Sequence, residues 1–182
     1  MKKKFMDLQT WAIDLQHSQV QFKVKHLAIA NVSGTFRKFG GAVAITSTHD
    51  FDNSEIYFEL NTASIDTNNP ERDNHLKSGM FLNADKYPKI SFDGKLIKAD
   101  DEYKLNGNLT ILETTLPVSM AVEYTGMGKG RYNDIRAGFE VHGKINRKDF
   151  GLNFNLLNEA GDLVVGNDIK LHCDIELIKK DA

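Results

Sequence analysis

Most of this chain alternates apolar and polar residues with a period of two. Val20, Phe22, Val24 and His26 share one face, with Gln21, Lys23 and Lys25 on the other. Ile56, Phe58 and Leu60 alternate with Glu55, Tyr57 and Glu59, while Ile90 and Phe92 oppose Lys89, Ser91 and Asp93. Further on, Val118, Met120, Val122 and Tyr124 oppose Ser119, Ala121 and Glu123. Ile169, Leu171, Cys173, Ile175 and Leu177 oppose Lys170, His172, Asp174 and Glu176. Such alternation predicts antiparallel strands, apolar inside and polar outside. Weaker runs around Phe36, Val43, 105–111, 137–145 and 150–156 add further strands. Residues 98–102 and 158–162 read as short polar hairpin turns, and the glycine-rich 125–130 as a longer link. That link carries no Walker pattern.

About eight to ten strands with one apolar face each can close into a barrel or stack as a sandwich. A barrel of eight strands has an interior that side chains fill or that holds one small apolar ligand. Alternation alone leaves filled and hollow both open. The expected architecture is an all-β, closed antiparallel barrel of about eight or more strands, with one short helix near residues 71–78. Residues 1–10 are expected to form a flexible N-terminal segment, and 11–179 one barrel domain.

The helix is predicted from local chemistry. Pro70 suits a first helical position, Glu71 and Asp73 favour the positive end of the helix dipole, and Gly79 is a candidate stop. Two turns cannot stand alone, so Leu76, the large apolar residue of the segment, must dock on something larger. Arg72, His75 and Ser78 are spaced to share one face.

Composition excludes several partners. The chain has 182 residues, 41% hydrophobic and 26% charged, with a net charge of −2. That balance gives no electrostatic reason to expect nucleic acid or an anionic membrane. One cysteine rules out an internal disulfide. No stretch approaches a transmembrane span. Lys2, Lys3 and Lys4 resemble the start of a secretory leader, but Asp7, Gln9 and Thr10 interrupt the apolar run that should follow. The expected location is cytoplasmic as written, and periplasmic if a leader has been trimmed away.

An ordered set of motifs resembles the YceI-like polyisoprenoid-binding family, a family of lipocalin-like barrels. It begins with Trp11-Ala-Ile-Asp14, His17-Ser18 and the Phe22–Leu27 stretch, and continues through Val32-Ser-Gly-Thr-Phe36. The central motif is Arg72-Asp-Asn-His-Leu-Lys-Ser78, followed by Phe81 and Tyr87-Pro-Lys-Ile-Ser-Phe92. Gly107-Asn-Leu-Thr-Ile111, Thr115-Leu-Pro-Val118, Gly138-Phe139 and the run from Ile145 to Leu152 complete it. The resemblance implies a carrier that holds a long-chain isoprenoid or similar amphiphilic lipid, of polyprenyl or isoprenoid-quinone type, in its lumen. It further implies a homodimer and no cofactor beyond such a bound lipid.

The inward positions expected to line that lumen are Phe22, Val24, His26, Phe36, Phe58, Leu60, Ile90, Phe92, Leu109, Ile111, Val118, Met120, Val122, Phe139, Val141, Leu171 and Cys173. His26 reads either as a satisfied core histidine or as a polar group at the mouth. Arg72, Asp73, His75, Ser78 and Arg147 are expected to be structural or to gate the mouth. Neither a nucleophile elbow nor an oxyanion motif flanks Ser78, so no catalytic residue is nominated. His142 and His172 fall on outward parity and lack zinc-motif spacing, so no metal is expected. Two rival readings stand beside the carrier: an enzyme or metalloprotein using the Arg72/His75/Ser78 face, and a solid-cored protein-interaction module.

Overall fold

A computed structural model of the chain describes residues 9–45, 50–100, 102–155, 157, 161 and 164–180. Among them are eleven strands. They are β1 (Gln9–Ile13), β2 (Gln19–His26), β3 (Ala30–Phe36), β4 (Phe39–Ile45), β5 (Ser54–Asn61) and β6 (Ile65–Asp66). After the helix α1 (Pro70–Lys77) come β7 (Lys89–Ala99), β8 (Glu102–Ile111), β9 (Thr114–Lys129), β10 (Ile135–Asn146) and β11 (Val165–Lys179).

Eight of these strands close a ring in the order β1-β4-β5-β7-β8-β9-β10-β11 and back to β1, every pairing antiparallel. Closure removes the unpaired strand edges that an open sheet would expose. The remaining three, β2, β3 and β6, extend one side of the wall. β11 makes this possible by its length. Its last turn-length, Leu177 to Lys179, pairs with β1, and its earlier part, from Val165 to Asp174, pairs with β2. The chain therefore steps from β1 to β2 along one neighbour. That corner is tied down by Asp14, whose N–H donates to the Glu176 carbonyl at 2.8 Å, and by Ser18, whose Oγ accepts from the Glu176 N–H at 2.9 Å.

Alternation fixes which side chains face in. On β5, Ile56, Phe58 and Leu60 point to the lumen, while the Tyr57 hydroxyl donates to Glu59 on the outside at 2.7 Å. Phe92 shows what the inner wall demands: its ring lies over Gly94 and over Gly107 on the neighbouring strand. A Cβ on Gly107 would sit 2.6 Å from the ring's Cζ and 2.4 Å from the Asp93 carbonyl, so only glycine fits.

Four expectations need correction. The run expected as a strand at 150–156 is not one: Arg147–Phe150 forms a 3-10 turn and 151–155 are irregular. The glycine-rich 125–130 is mostly strand: β9 runs on to Lys129, and the turn is closed by the Gly130 N–H donating to the Asp134 carbonyl at 2.8 Å. A register shift between Gly138 and Phe139 skips Thr125, a bulge that lets the strand pair on through the glycines. The helix starts at Pro70 and ends at Lys77, with Ser78 as its C-terminal cap in place of the expected Gly79 stop. β1 begins at Gln9, so Gln9 and Thr10 are sheet and not part of a loose segment. Residues 1–8, the rest of that segment, and most of the turn expected at 158–162 lie outside the described residues.

Candidate functional site

The barrel is hollow. An apolar cavity of about 260 Å³ runs inside it. Its wall takes in Phe22, Val24, Phe36, Phe58, Leu60, Ile90, Phe92, Leu109, Ile111, Met120, Val122, Phe139, Val141, Leu171 and Cys173. Two expected positions fall outside it. Val118 packs against the core from beyond the cavity wall, and His26 is the half-buried last residue of β2, opposite Ala30 and Val165. Cys173 lies between Val141 and Val20 on the neighbouring strands, and burial pushes its thiol up to about 12. It behaves as a small apolar wall residue.

One end of the cavity is sealed by aromatic rings. Phe51, between β4 and β5, inserts among Trp11 (centroids 5.1 Å apart), Phe139 (4.9 Å) and Tyr124 (6.0 Å). Trp11, Phe51, Phe139 and Tyr103 are all buried. The chain that follows Phe51 is pinned twice. Ser54 Oγ donates to the Phe51 carbonyl at 2.6 Å, and Asp52 Oδ1 accepts from the Lys98 N–H at 2.7 Å. Phe51 was not foreseen, because a single apolar residue between Asp50 and Asp52 has no periodicity to mark it. Outside this end, Arg136 gathers Asp14 (2.7 Å), Asp134 (2.5 Å) and Glu176.

The other end is covered by α1 and the chain that follows it. Asn69 caps the helix, its Oδ1 accepting from the Arg72 N–H at 3.0 Å. Buried Asp73 reaches back to the preceding loop, where its Oδ1 accepts from the Thr67 N–H (2.8 Å) and hydroxyl (2.6 Å). Arg72 holds the same threonine, donating to its hydroxyl and carbonyl at 2.8 Å each. Leu76 drops into the cavity wall with Phe81 and Leu82. The His75 ring stands edge-on to Phe81 (5.2 Å) and Phe154 (5.3 Å), and Ser78 Oγ donates to the His75 carbonyl at 2.7 Å. Arg72, His75 and Ser78 therefore serve three separate contacts and do not assemble a nucleophile with its base.

Arg147 is the charged residue that reaches the cavity among the described residues. Only 2% exposed, it donates to the carbonyls of Gly166 (2.9 Å), Leu152 and Phe154 (2.8 Å), and to the Asn155 side chain (3.2 Å). Burial lowers its pKa, and its hydrogen-bond partners among the described residues are backbone carbonyls and asparagine side chains. The planar fork organises the loop after β10 against the start of β11. Around this end most covering side chains are only partly buried. Leu76, Phe81 and Phe154 are half-buried, Met80 is 60% exposed, and Ile29 at the β2–β3 turn is 83% exposed.

Comparison with known proteins agrees with this geometry. The model of the YceI-like domain matches residues 11–177. Protein YceI of Shigella flexneri is 38% identical over 156 residues, which is 82% of this chain and 80% of the relative. A crystal structure of the Campylobacter jejuni YCEI protein superposes with a TM-score of 0.73 at 30% identity, covering 86% of this chain and 90% of that one. A polyisoprenoid binding domain from Saccharophagus degradans, implicated in plant cell wall breakdown, shares the fold: TM-score 0.68, 12% identity, with 95% and 99% of the two chains covered.

Proposed function

Because the chain belongs to the YceI-like family, we propose that it binds a long-chain isoprenoid or similar amphiphilic lipid, of polyprenyl or isoprenoid-quinone type, with the tail in the lumen. The observation that carries this reading is the apolar cavity, sealed by aromatic rings at one end and covered by partly buried side chains at the other. A barrel of the same fold is described as polyisoprenoid-binding, which supports the choice of ligand class.

Magnitudes favour a greasy tail. Each buried CH₂ contributes about 0.8 kcal/mol, so one five-carbon unit gives roughly 3–4 kcal/mol gross. Ordering a flexible chain offsets much of the total. The tail supplies affinity without direction; a head group left at the helix end meets the polar groups there. No catalytic step enters this reading. The Ser78 hydroxyl is engaged with a carbonyl, and Cys173 is held as the thiol at neutral pH.

The test is lipid extraction from gently purified protein with mass spectrometry, repeated for Met120→Trp. Met120 faces the cavity, so the larger ring fills space without adding charge. We expect a polyprenyl-bearing species with the parent protein. For the folded variant, the affinity for an added long-chain polyprenol should fall at least tenfold. A folded variant that binds as well as the parent, or a parent that binds no such chain, would overturn the proposal.

A further inference from the structure

The outer wall carries a second constellation, independent of the lumen and of its lipid reading. In the antiparallel pairing of β10 and β11, Glu140 faces Asp174 and His142 faces His172. Strand parity sets all four on one outward patch. The two imidazoles lie with centroids 4.7 Å apart, and their Nδ1 atoms approach to 3.2 Å. On the far side of each ring stands a carboxylate. Asp174 Oδ1 is 3.2 Å from His172 Nε2, and Glu140 Oε2 is 3.5 Å from His142 Nε2.

This arrangement sets up a conflict over protons. A neutral imidazole carries one N–H and one lone pair. In the metal-free protein the contact is a hydrogen bond, one Nδ1–H donating to the other Nδ1. The carboxylate facing each Nε2 favours the tautomer with its N–H there. With both protons at Nε2 the two Nδ1 lone pairs meet, and a cation between them takes the place of the hydrogen. The spacing fits, since two nitrogens at about 2.0–2.1 Å from one metal are separated by roughly 2.9–3.4 Å in square-planar or tetrahedral geometry.

We propose that His142 and His172 chelate a divalent transition ion through Nδ1, with Glu140 and Asp174 as outer acceptors on Nε2–H. Imidazole suits Cu²⁺, Ni²⁺ and Zn²⁺, and Cu²⁺ binds tightest in such sites. Water completes the coordination, because the pair lies open in a surface groove beside Gln21 and Ser119. Lys23, Lys170 and Lys144 flank the groove and weaken attraction for a cation, although Lys144 is already paired with Asp168 at 3.2 Å.

The acid-rich group of Asp14, His17 and Glu176 brings three donor atoms together as well. There the Arg136 guanidinium already bridges Asp14 and Glu176, so the cation position is taken by the protein itself. It serves as the internal control.

The experiment is titration of metal-free, full-length protein with Cu²⁺ and then Zn²⁺ by calorimetry, with histidine ring signals followed by NMR. One ion per chain should bind, perturbing the His142 and His172 ring signals first. His142→Gln and His172→Gln should each weaken binding at least tenfold, and Glu140→Gln with Asp174→Asn by about tenfold or less. His17→Gln should leave it unchanged. Because all these side chains lie on the barrel's outer surface, the variants are expected to fold, and their melting profiles check it. Absence of a one-to-one site, or binding that survives both histidine substitutions, would overturn the proposal. So would a pair that shares a proton but does not respond to metal.

Discussion

The two ends of the lumen are built from similar residues and behave differently. At the sealed end, Phe51 is 3% exposed among Trp11, Phe139 and Tyr124, and Asp52 and Ser54 pin the chain that follows it. At the helix end, Phe81 and Phe154 pack as closely, 4.5 Å between tilted rings, yet both stay half-buried. Polar anchors there hold the backbone and leave the apolar cover partly exposed. Asp73 and Arg72 grip Thr67, and Arg147 grips the carbonyls of the facing loop. Aromatic contact alone does not decide whether an end opens. What differs is how far the rings are buried: Phe51 is fully buried, whereas Phe81 and Phe154 keep exposed edges although Arg147 holds the Phe154 carbonyl.

Substitution on either side of this contrast gives the largest expected effect. Phe51→Ala removes a fully packed ring and should cost about 3–5 kcal/mol in denaturant unfolding. Phe81→Ala, half-exposed, should cost about 1–2 kcal/mol and release bound lipid several-fold faster. Equal costs, or faster release from Phe51→Ala alone, would mean that the ends are assigned the wrong way round.

A smaller effect concerns acid. Burial by itself would raise the pKa of Asp14, but hydrogen bonds from His17, the Gln16 N–H and Arg136 outweigh it, so the carboxyl is held below its usual value. Asp134 is lowered chiefly by its bond from Arg136. A carboxyl with a depressed folded pKa contributes stability that is fully present above its unfolded value, about 3.9, and is lost as pH falls through the folded value. Urea midpoints should therefore drop below about pH 4, and Arg136→Gln should flatten that slope. Glu59, held chiefly by Lys89, and Asp66, held first by the Asn68 N–H and then by Arg37, are also lowered and keep a residual slope in the variant. A slope unchanged in Arg136→Gln would remove the cluster from the account of the sealed end.

Much of the wall was legible from alternation, because a period of two translates directly into inside and outside once a barrel closes. Phe58, Phe92, Met120 and Leu171 were found that way, and they do line the cavity. Alternation misplaced His26 and Val118 because it cannot say where along a strand the cavity stops. It was blind to Phe51, and it read 150–156 as a strand where Phe154 sits in a loop; both owe their places to tertiary packing. The strand through residues 125–129 was misread for the opposite reason, since its glycines suppress the pattern while a bulge preserves the pairing. The approach of His142 to His172 depends on register between strands 30 residues apart, which no local spacing encodes.

Trp11 is the chain's single tryptophan and packs against Phe51 at the sealed end, so its fluorescence reports on the bottom of the lumen. The direct measurement uses two long-chain polyprenyl lipids, one with a nitroxide at the tail terminus and one with it at the head group. If the tail enters past the helix and runs toward the aromatic plug, the tail label quenches Trp11 strongly on saturation and the head label quenches it weakly. Quenching by the head label as strong as by the tail label, or saturable binding with no quenching from either, would contradict tail-first occupancy of the lumen.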